Sequence, residues 1–297
     1  MVAGLTDGAV RGRGECLPYA RYGESVEGVM AALAAMRPQL AAGLDRESLQ
    51  SAMPPGAARN ALDCAFWDLE AKRTGRPVHE LAGLPPPQPV TTAFTISLAA
   101  PEAMAAAAAK SATRALLKVK LGAPGDPERI AAVRRAAPRA TLIVDANEGW
   151  DEGNIAANLA ACAQAGVVLV EQPLPEASDG ALADFTRQVP VCADESAHGL
   201  ASLPALAGKY DLVNVKLDKT GGLSEALAMA DAARRMGLGV MAGSMVATSL
   251  SIAPAMLLAQ TARFVDLDGP LLLVKDREDG LRYEGSQVWP AAPALWG

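Results

Sequence analysis

The sequence predicts an α/β protein whose larger part is a barrel of repeated strand–helix units. Eight short β-like runs occur after residue 90 of the 297-residue chain, and alanine-rich stretches with helical periodicity lie between them. Residues near the strand ends recur at a spacing of 22 to 27 positions. A doubly wound open sheet could also produce this alternation, but eight units over about 180 residues fit a (β/α) barrel better.

The predicted strands are apolar runs, most of which finish on charged residues. They cover residues 91–97, 115–122, 140–147, 167–173, 189–196, 211–218, 238–244 and 263–270. The recurring positions are Lys118, Asp145, Glu171, Asp194, Lys216, Met241 and Asp266. In a (β/α) barrel the catalytic groups lie at the carboxyl ends of the strands, so we expect the charged members of this series to meet at one face.

The first ninety residues have a different pattern, which predicts a separate domain. Residues 3–15 read as half of a hairpin, and residues 23–40 have helical spacing. Residues 56–75 predict a second helix, which ends at Gly75. We therefore place a domain boundary at residue 90.

A proline-rich linker separates the two predicted domains. The segment LPPPQPV, residues 84–90, cannot continue a helix or a strand through three consecutive prolines. The barrel domain is then expected to cover residues 91–284. Its helix in DPERIAAVRRAAP is predicted to have Asp126 as N-cap and Pro127 at the first helical position.

Composition excludes several classes of protein. The net charge of −6 and the pI near 5.1 argue against a nucleic-acid binder, and no polybasic segment indicates a membrane surface. The charge-free span 236–262 is broken by glycines and Pro254, and it predicts a strand, a loop and a buried helix rather than a membrane helix. The four cysteines form no CxxC pair, so we expect reduced thiols. The amino terminus has no apolar signal region, and we expect a cytoplasmic protein.

Three acids from consecutive predicted strands indicate a metal site. Asp145, Glu171 and Asp194 are expected to converge without a cation in the same strands to pair them. Carboxylates so close would raise one another's pKa values, and a divalent cation removes that repulsion. All three ligands are hard oxygens with no matching Cys or His, so the sequence predicts Mg²⁺ rather than Zn²⁺.

Three lysines indicate acid–base chemistry beside this metal. Lys118 and Lys120 are two positions apart and share one face of a strand, and Lys216 comes from the other side of the barrel. Neighbouring positive charge would lower a lysine pKa toward roughly 7–8, the working range of a general base. Two lysines facing each other across a metal could remove a proton from a carbon and replace it on the opposite face.

A second pair of acids indicates how a substrate is recognised. Asp266 and Asp268 are two positions apart on the last predicted strand, and both are expected to face the interior, away from the metal. There they would suit a cationic group such as an ammonium. We also predict Asn147 and Met245 as substrate contacts.

The order of these motifs resembles the enolase superfamily in its muconate-lactonising branch. The motifs are KVK, VDAN, VEQP, ADES and NVKLDKTGG, and the closing FVDLDGPLLL is similar to that of dipeptide epimerases. The segments GECLPYARYGES and GAARNALDCAFWDLEAK look like the capping domain of that family. The resemblance covers nearly the whole chain.

The resemblance implies a fold and a set of roles. The fold is a modified (β/α)7β TIM-type barrel with an N-terminal α+β capping domain, residues 1–90, to which the C-terminal tail of about residues 285–297 returns. The implied activity is Mg²⁺-dependent dipeptide epimerisation, most closely of L-Ala-D/L-Glu, by two-base 1,1-proton transfer through a metal-stabilised enediolate. The implied residue roles are Lys120 and Lys216 as acid and base, Lys118 on the substrate carboxylate, Asp145, Glu171 and Asp194 on Mg²⁺, and Asp266 and Asp268 on the dipeptide ammonium.

One departure from the family pattern concerns the amino terminus. Family members usually begin with about one strand and a mobile lid loop before the segment that matches residues 3–15, and this part is absent here. The chain is therefore expected to be N-terminally truncated, and a non-catalytic truncated barrel stays open as an alternative.

Other enzymes of the superfamily are further alternatives. An N-acylamino-acid racemase, an o-succinylbenzoate synthase or a cycloisomerase would use the same lysines and metal. A racemase or dehydratase with a histidine base is disfavoured, because the seventh strand end reads VMAGSM and His198 is expected on a loop. We expect a small dipeptide as the binding partner, no nucleic acid or membrane, and a homo-oligomer.

Overall fold

The computed structural model describes residues 1–297. The N-terminal part begins with a complete hairpin, in which β1 (Val2–Asp7) pairs antiparallel with β2 (Val10–Glu15). A short 3-10 helix follows at Ala20–Tyr22. The helices of this part are α1 (Val26–Ala35), α2 (Arg37–Ala41), α3 (Arg46–Ala52), α4 (Ala57–Thr74) and α5 (Val78–Leu81). The hairpin is present, the helical segment predicted over residues 23–40 is divided at Met36 into α1 and α2, and the helix predicted over 56–75 is α4. Helix α3 is additional, and its N-cap, Asp45, accepts a hydrogen bond from the Ser48 amide.

The hairpin lies directly on α4 because two glycines leave room for it. A Cβ atom at Gly12 would lie 2.2 Å from the Ala65 carbonyl oxygen, and one at Gly14 would lie 2.1 Å from the Ala61 carbonyl oxygen. Both distances are far below van der Waals contact, so only glycine permits this approach. Helix α4 ends at Gly75, whose φ of 70° gives the left-handed C-terminal cap that glycine adopts readily.

Eight parallel strands form the barrel. The strands are β4 (Phe94–Ile96), β5 (Leu116–Lys120), β6 (Thr141–Asp145), β7 (Val167–Glu171), β8 (Val191–Ala193), β9 (Leu212–Val215), β10 (Gly239–Gly243) and β11 (Phe264–Asp266). Each pairs with its neighbour in chain order from β4 to β11. The first and last strands also meet, since the Ala93 amide donates to the Val265 carbonyl at 2.8 Å. All eight predicted strands are confirmed, each within its predicted range.

Helices connect successive barrel strands and cover the outside. The α-helices are α6 (Pro101–Lys110), α7 (Asp126–Ala136), α8 (Ile155–Gln164), α9 (Leu203–Leu206), α10 (Leu217–Thr220), α11 (Leu223–Arg235) and α12 (Ser249–Ala259). Further 3-10 helices cover Glu176–Ala183, Leu200–Ser202 and Gly269–Leu272. Seven connections precede the last strand. This is the (β/α)7β arrangement expected from the sequence. The link from β7 to β8 is a 3-10 helix instead of an α-helix.

The span 236–262 has the structure predicted for it. Strand β10 is followed by a loop and by the buried helix α12, which contains Pro254. No helix of the chain is both long and apolar enough to pass through a bilayer. The four cysteines are free and buried, as expected.

The predicted cap of α7 is wrong by one position. Asp126 is the first residue of the helix, and Gly125 occupies the N-cap position without a side-chain hydrogen bond. The carboxylate of Asp126 accepts instead from the Gly122 amide at 2.7 Å and from Trp150 Nε1 at 2.8 Å. The acid thus ties the preceding loop to a tryptophan 24 residues later, which a local capping pattern does not reveal.

The C-terminal tail contacts both parts of the chain. Strands β12 (Tyr283–Glu284) and β13 (Gln287–Val288) form a small antiparallel sheet with β3 (Val90–Thr91). Beyond it, Trp296 Nε1 donates to the Cys64 carbonyl at 3.0 Å, and the Gly297 amide donates to Asp68 Oδ1 at 2.8 Å. Both acceptors lie on α4, so the tail packs on the N-terminal helix.

Apolar side chains fill the lower half of the barrel and support the polar face above. They form one buried cluster: Ala93, Leu116, Ile143, Leu169, Cys192, Leu212 and Met241. Along β5, side chains two positions apart point the same way, so Leu116 lies beneath Lys118 and Lys120 on the interior face. The interior is therefore dry and packed up to the level at which the charged residues begin.

Candidate active site

The carboxyl ends of the strands bring the predicted site residues to one end of the barrel. Lys120 ends β5, Asp145 ends β6 and Glu171 ends β7. Because these strands are parallel and in register, Lys120 is paired with Asp145, and Asp145 with Glu171. Asp194 and Lys216 directly follow β8 and β9.

The three predicted metal ligands converge. Candidate ligand oxygens of Asp145, Glu171 and Asp194 all lie within 4.8 Å of one another, and the three residues are at most 2 % exposed. Glu171 Oε2 is buried without a hydrogen-bond partner. Three buried carboxylates whose oxygens lie this close together form a set of hard ligands suited to Mg²⁺.

A lysine from another strand neutralises the acids, and the acids' own strands hold no cation to pair them, as expected. Lys118 Nζ lies 2.6 Å from Glu171 Oε2, 3.0 Å from Asp145 Oδ2 and 2.8 Å from Asp266 Oδ2. The cation comes from the neighbouring strand β5 and not from the acids' own strands. Only the contact with Asp266 has hydrogen-bond geometry, but all three acids lie within ion-pair distance of Lys118, so Glu171 Oε2 is paired with this ammonium group.

Burial and like charges set the pKa values of the triad. Burial, and then the charge of Asp145, raise the pKa of Glu171 to about 8. Burial also acts to raise the pKa of Asp145 and of Asp194, but the neighbouring lysines hold both pKa values below their usual range. One carboxyl group therefore binds its proton more tightly than the other two, as expected for charges that share a buried volume.

The two lysines expected as acid and base contact different members of the triad. Lys120 Nζ donates to Asp145 Oδ2 at 2.7 Å and to Asn147 Oδ1 at 2.9 Å. Lys216 Nζ donates to Asp194 Oδ2 at 2.7 Å. The Lys120 side chain is 30 % exposed and that of Lys216 only 10 %, so Lys120 is more accessible to solvent than Lys216.

The expectation of a lowered lysine pKa is wrong for Lys118. Burial acts to lower the pKa of Lys118, but the charges of Asp145, Asp266 and Glu171 outweigh it and raise this pKa well above its usual range. The pKa of Lys216 is raised in the same way by Asp194 and Glu171 against the effect of burial. The carboxylates dominate because they outnumber the lysines and lie in direct contact with them.

The two acids of the last strand have different surroundings. Asp266 ends β11 and accepts from Lys118, which also contacts the triad, so Asp266 does not lie away from the predicted metal. Asp268 lies beyond the end of β11, which corrects its placement on the strand, and it accepts from the Thr95 amide at 2.7 Å. Leu267 between them is fully buried. Burial, and then the charge of Asp266, raise the pKa of Asp268 to about 6.

A cavity of about 620 Å³ opens above these groups. The lysines Lys118, Lys120 and Lys216 line it with Asp194, Asp266 and Asp268, and the predicted contacts Asn147 and Met245 line it as well. Tyr19 and Tyr22 of the N-terminal part close one side. Most of the site residues predicted from the sequence therefore line the cavity, and residues from the first ninety positions form part of its wall.

Sequence reasoning missed several polar residues around the triad. Lys219 is buried, and its Nζ donates to Asp194 Oδ1 at 2.6 Å, while Asn214 Nδ2 donates to Glu171 Oε1 at 2.7 Å. Gln172 Oε1 accepts from the Asp194 amide at 2.8 Å. A usable signal existed for Asn214, because it precedes Lys216 by two positions and so shares its inward face. His198 lies on a loop, as expected, with Nε2 3.1 Å from Glu176 Oε1.

Comparison with known families agrees with this geometry. The model "Mandelate racemase / muconate lactonizing enzyme, N-terminal domain" matches residues 2–83, and "Enolase C-terminal domain-like" matches residues 101–291. The chain belongs to the enolase superfamily. The resemblance stated from the motifs is confirmed, and the barrel with a preceding α+β part is the superfamily fold.

Individual members of the enolase superfamily are similar over almost the whole chain. The L-Ala-D/L-Glu epimerase of Escherichia coli is 48 % identical over 97 % of this chain and 90 % of its own length. The N-acetyl-D-glutamate racemase of a Pseudoalteromonas species is 43 % identical over 100 % of this chain and 95 % of its own length. A crystal structure from Agrobacterium tumefaciens, described as homologous to dipeptide epimerases and containing sodium and L-Ala-L-Glu, has a TM-score of 0.98 and 54 % identity over 100 % of this chain and 91 % of that one.

Proposed function

We propose that this chain is a Mg²⁺-dependent dipeptide epimerase that inverts the α-carbon of the second residue of L-Ala-D/L-Glu. The observation that carries the proposal is the placement of Lys120 and Lys216, which bond to different carboxylates of one triad at the mouth of one cavity. Two amines directed at one site from separate strands suit a reaction that removes and returns a proton on opposite faces.

Asp145, Glu171 and Asp194 would hold the metal. The three are buried, and their oxygens lie within 4.8 Å of one another. Bound there, Mg²⁺ would polarise the substrate carboxylate and offset the negative charge that raises the pKa of the nearby lysines. Lys118, whose Nζ lies among the same acids, would orient that carboxylate.

The lysines would carry the proton. One of Lys120 and Lys216, in its neutral form, takes the α-proton as the C–H bond breaks and an N–H bond forms. The other, in its ammonium form, returns a proton to the opposite face of the same carbon. The reverse direction exchanges the two roles, so a single pair of lysines serves both epimers.

The acids Asp266 and Asp268, which both line the cavity, would bind the substrate ammonium. The Asp268 side chain accepts one hydrogen bond from the protein, from the Thr95 amide, and Asp266 Oδ1 is buried without a hydrogen-bond partner. An ammonium group placed between them would satisfy both acids with charge-assisted hydrogen bonds. The proposal therefore requires a free amino terminus on the dipeptide.

An N-acylamino-acid racemase is the second candidate. It is supported by the similarity to the N-acetyl-D-glutamate racemase, which spans the whole chain. An acylated substrate has no ammonium, however, and would leave the Asp268 side chain without a cationic partner, since Lys118 pairs only with Asp266 of these two acids. An o-succinylbenzoate synthase or cycloisomerase meets the same objection, and a non-catalytic barrel would not need the lysine pair.

We further propose that the two parts of the chain have different functions. Residues 1–90 act as a capping domain, because Tyr19 and Tyr22 form a wall of the cavity, and residues 91–284 carry the chemistry. The tail from about residue 285 secures the cap through α4. Four free cysteines are compatible with a cytoplasmic location, and a homo-oligomer stays a prediction.

The test is α-proton exchange in deuterated water. The protein is incubated with Mg²⁺ and with L-Ala-L-Glu, L-Ala-D-Glu or N-acetyl-D-glutamate, and each product is analysed by mass spectrometry and chiral chromatography. Both dipeptide epimers should gain one mass unit at the glutamate α-carbon and interconvert. Faster exchange of N-acetyl-D-glutamate would establish the second candidate, and no exchange of any compound would support the non-catalytic barrel.

A further inference from the structure

Lys120 and Lys216 are held in different ways, and this difference has a consequence for catalysis. Lys216 is buried, with a side chain 10 % exposed, and its Nζ has one hydrogen-bond partner, the triad acid Asp194. Lys120 is 30 % exposed and has two partners, the triad acid Asp145 and the amide of Asn147. Packing restrains the first lysine, whereas an exposed lysine keeps its rotamer freedom unless a fixed acceptor restrains it.

The amide of Asn147 has only one favourable orientation. Its Oδ1 accepts from Lys120 Nζ at 2.9 Å, and its Nδ2 donates to Glu195 Oε1 at 3.3 Å. An ammonium group has no acceptor, so rotating the amide by half a turn would direct the NH2 group of Asn147 at a donor and remove the hydrogen bond to Lys120. Glu195 is only 7 % exposed, and it therefore supplies a fixed anchor for the amide.

The backbone also fixes Asn147 beside the triad. Its φ is 44°, in the left-handed region that asparagine tolerates better than most residues. Its amide N–H donates to Asp145 Oδ1 at 2.9 Å, which sets the turn against the triad acid. Hydrogen bonds therefore restrain both the backbone and the side-chain amide of Asn147.

We propose that Asn147, oriented by Glu195, is a positioning residue for Lys120, and that Lys216 has no counterpart of it. The inference rests on the proposed function, because it concerns the lysine that serves one of the two epimers. Asp145 would be shared with the metal, so the amide of Asn147 is the acceptor dedicated to Lys120. Loss of the amide should therefore impair proton transfer on one face of the α-carbon only.

The test compares α-proton exchange from the two dipeptide epimers in deuterated water. Lys120→Ala identifies the epimer that Lys120 serves. Asn147→Gly preserves the positive φ and removes the amide, and it should lower exchange from that epimer by about tenfold while exchange from the other changes by less than about twofold. Its Mg²⁺ affinity, measured by calorimetry, should equal that of the parent.

Two further variants separate positioning from general damage. Glu195→Ala should change the exchange ratio in the same direction, and Glu195→Gln should change it less, because its carbonyl can still accept from Asn147 Nδ2. Asn154→Gly is the matched control. This asparagine lies outside the cavity and accepts from the Asp151 amide and from Asn158 Nδ2 of α8, so its loss should leave the exchange ratio unchanged even where stability falls.

An equal fall for both epimers, or an unchanged ratio in Asn147→Gly, would overturn the proposal. A crystal structure of the same variant gives an answer independent of turnover. Lys120 Nζ should lose its defined position, and Lys216 Nζ should stay on Asp194. Should the parent exchange no dipeptide, the proposed function fails, and the structure of the variant still decides whether Asn147 positions Lys120.

Discussion

Lys216 and Asp194 form a buried ion pair in which Nζ donates to Oδ2 at 2.7 Å. The pair joins one lysine of the proposed acid–base couple to one ligand of the proposed metal. Lys120 makes the equivalent contact with a different ligand, Asp145. Each lysine therefore contacts a different acid of the triad, and the catalytic role of each lysine can be tested separately.

Removal of either lysine should abolish epimerisation and impair exchange asymmetrically. Lys120→Ala should stop α-proton exchange from one epimer and leave some exchange from the other, and Lys216→Ala should show the reverse, because each amine serves one face of the carbon. Mass spectrometry in deuterated water measures both rates. Lys110→Ala, an exposed lysine on α6, is the control. Normal epimerisation by both site variants would rule out the two-base mechanism.

Mg²⁺ should stabilise the folded protein through the triad. A ligand at one hundred times its Kd adds about 2.7 kcal/mol to the free energy of unfolding, which raises Tm. Glu171→Gln should eliminate this increase, and EDTA should reverse it in the parent. Asp63→Asn is the matched control, since this buried acid bonds to Ser224 outside the triad. A Tm increase with Mg²⁺ in Glu171→Gln would place the metal elsewhere.

Asp268 should determine whether a free dipeptide amino group is required. Asp268→Asn keeps an acceptor for the Thr95 amide but removes the charge, so KM for the dipeptide should rise roughly ten- to a hundredfold. N-acetylation of the dipeptide should weaken turnover by the parent to a similar extent. Asp279→Asn changes an exposed acid outside the cavity and should leave KM unchanged. Better turnover of the acylated substrate would favour the racemase.

Asp218 should make stability depend on pH. This buried acid accepts from the Leu17 amide at 3.1 Å and from Asn60 Nδ2 at 2.7 Å, and burial raises its pKa from 3.8 to about 7. Between these two pKa values the folded state binds more protons than the unfolded state, so the free energy of unfolding due to this group falls as pH rises through the window.

Asp218→Asn should remove this contribution. Its carbonyl can still accept both hydrogen bonds, so the gain in Tm over the parent should be larger at pH 8 than at pH 5. Thermal unfolding at several pH values measures the difference. Glu152→Gln, at an exposed position, should leave the pH dependence of the parent intact. The same gain at both pH values would contradict a raised pKa for Asp218.

Strand order and strand-end chemistry were predictable because they depend on local patterns. Each barrel strand is an apolar run, and the carboxyl ends of parallel strands meet at one edge. This is sufficient to bring Asp145, Glu171 and Asp194 together, and the structure shows their oxygens within 4.8 Å. The ordered motifs also predicted the superfamily correctly.

The tertiary structure alone decided how the charges are paired. Lys118 bonds to Asp266, which is 148 residues away, because closing the barrel makes the first strands neighbours of the last. Lys219 reaches Asp194 from α10, the short helix after β9, and Tyr22 reaches the cavity from the N-terminal part. Each contact depends on long-range packing and on one rotamer, which local spacing does not specify. For the same reason the pKa of Lys118 rises where the sequence predicted a fall, because the number of carboxylates around an amine is a property of the folded chain.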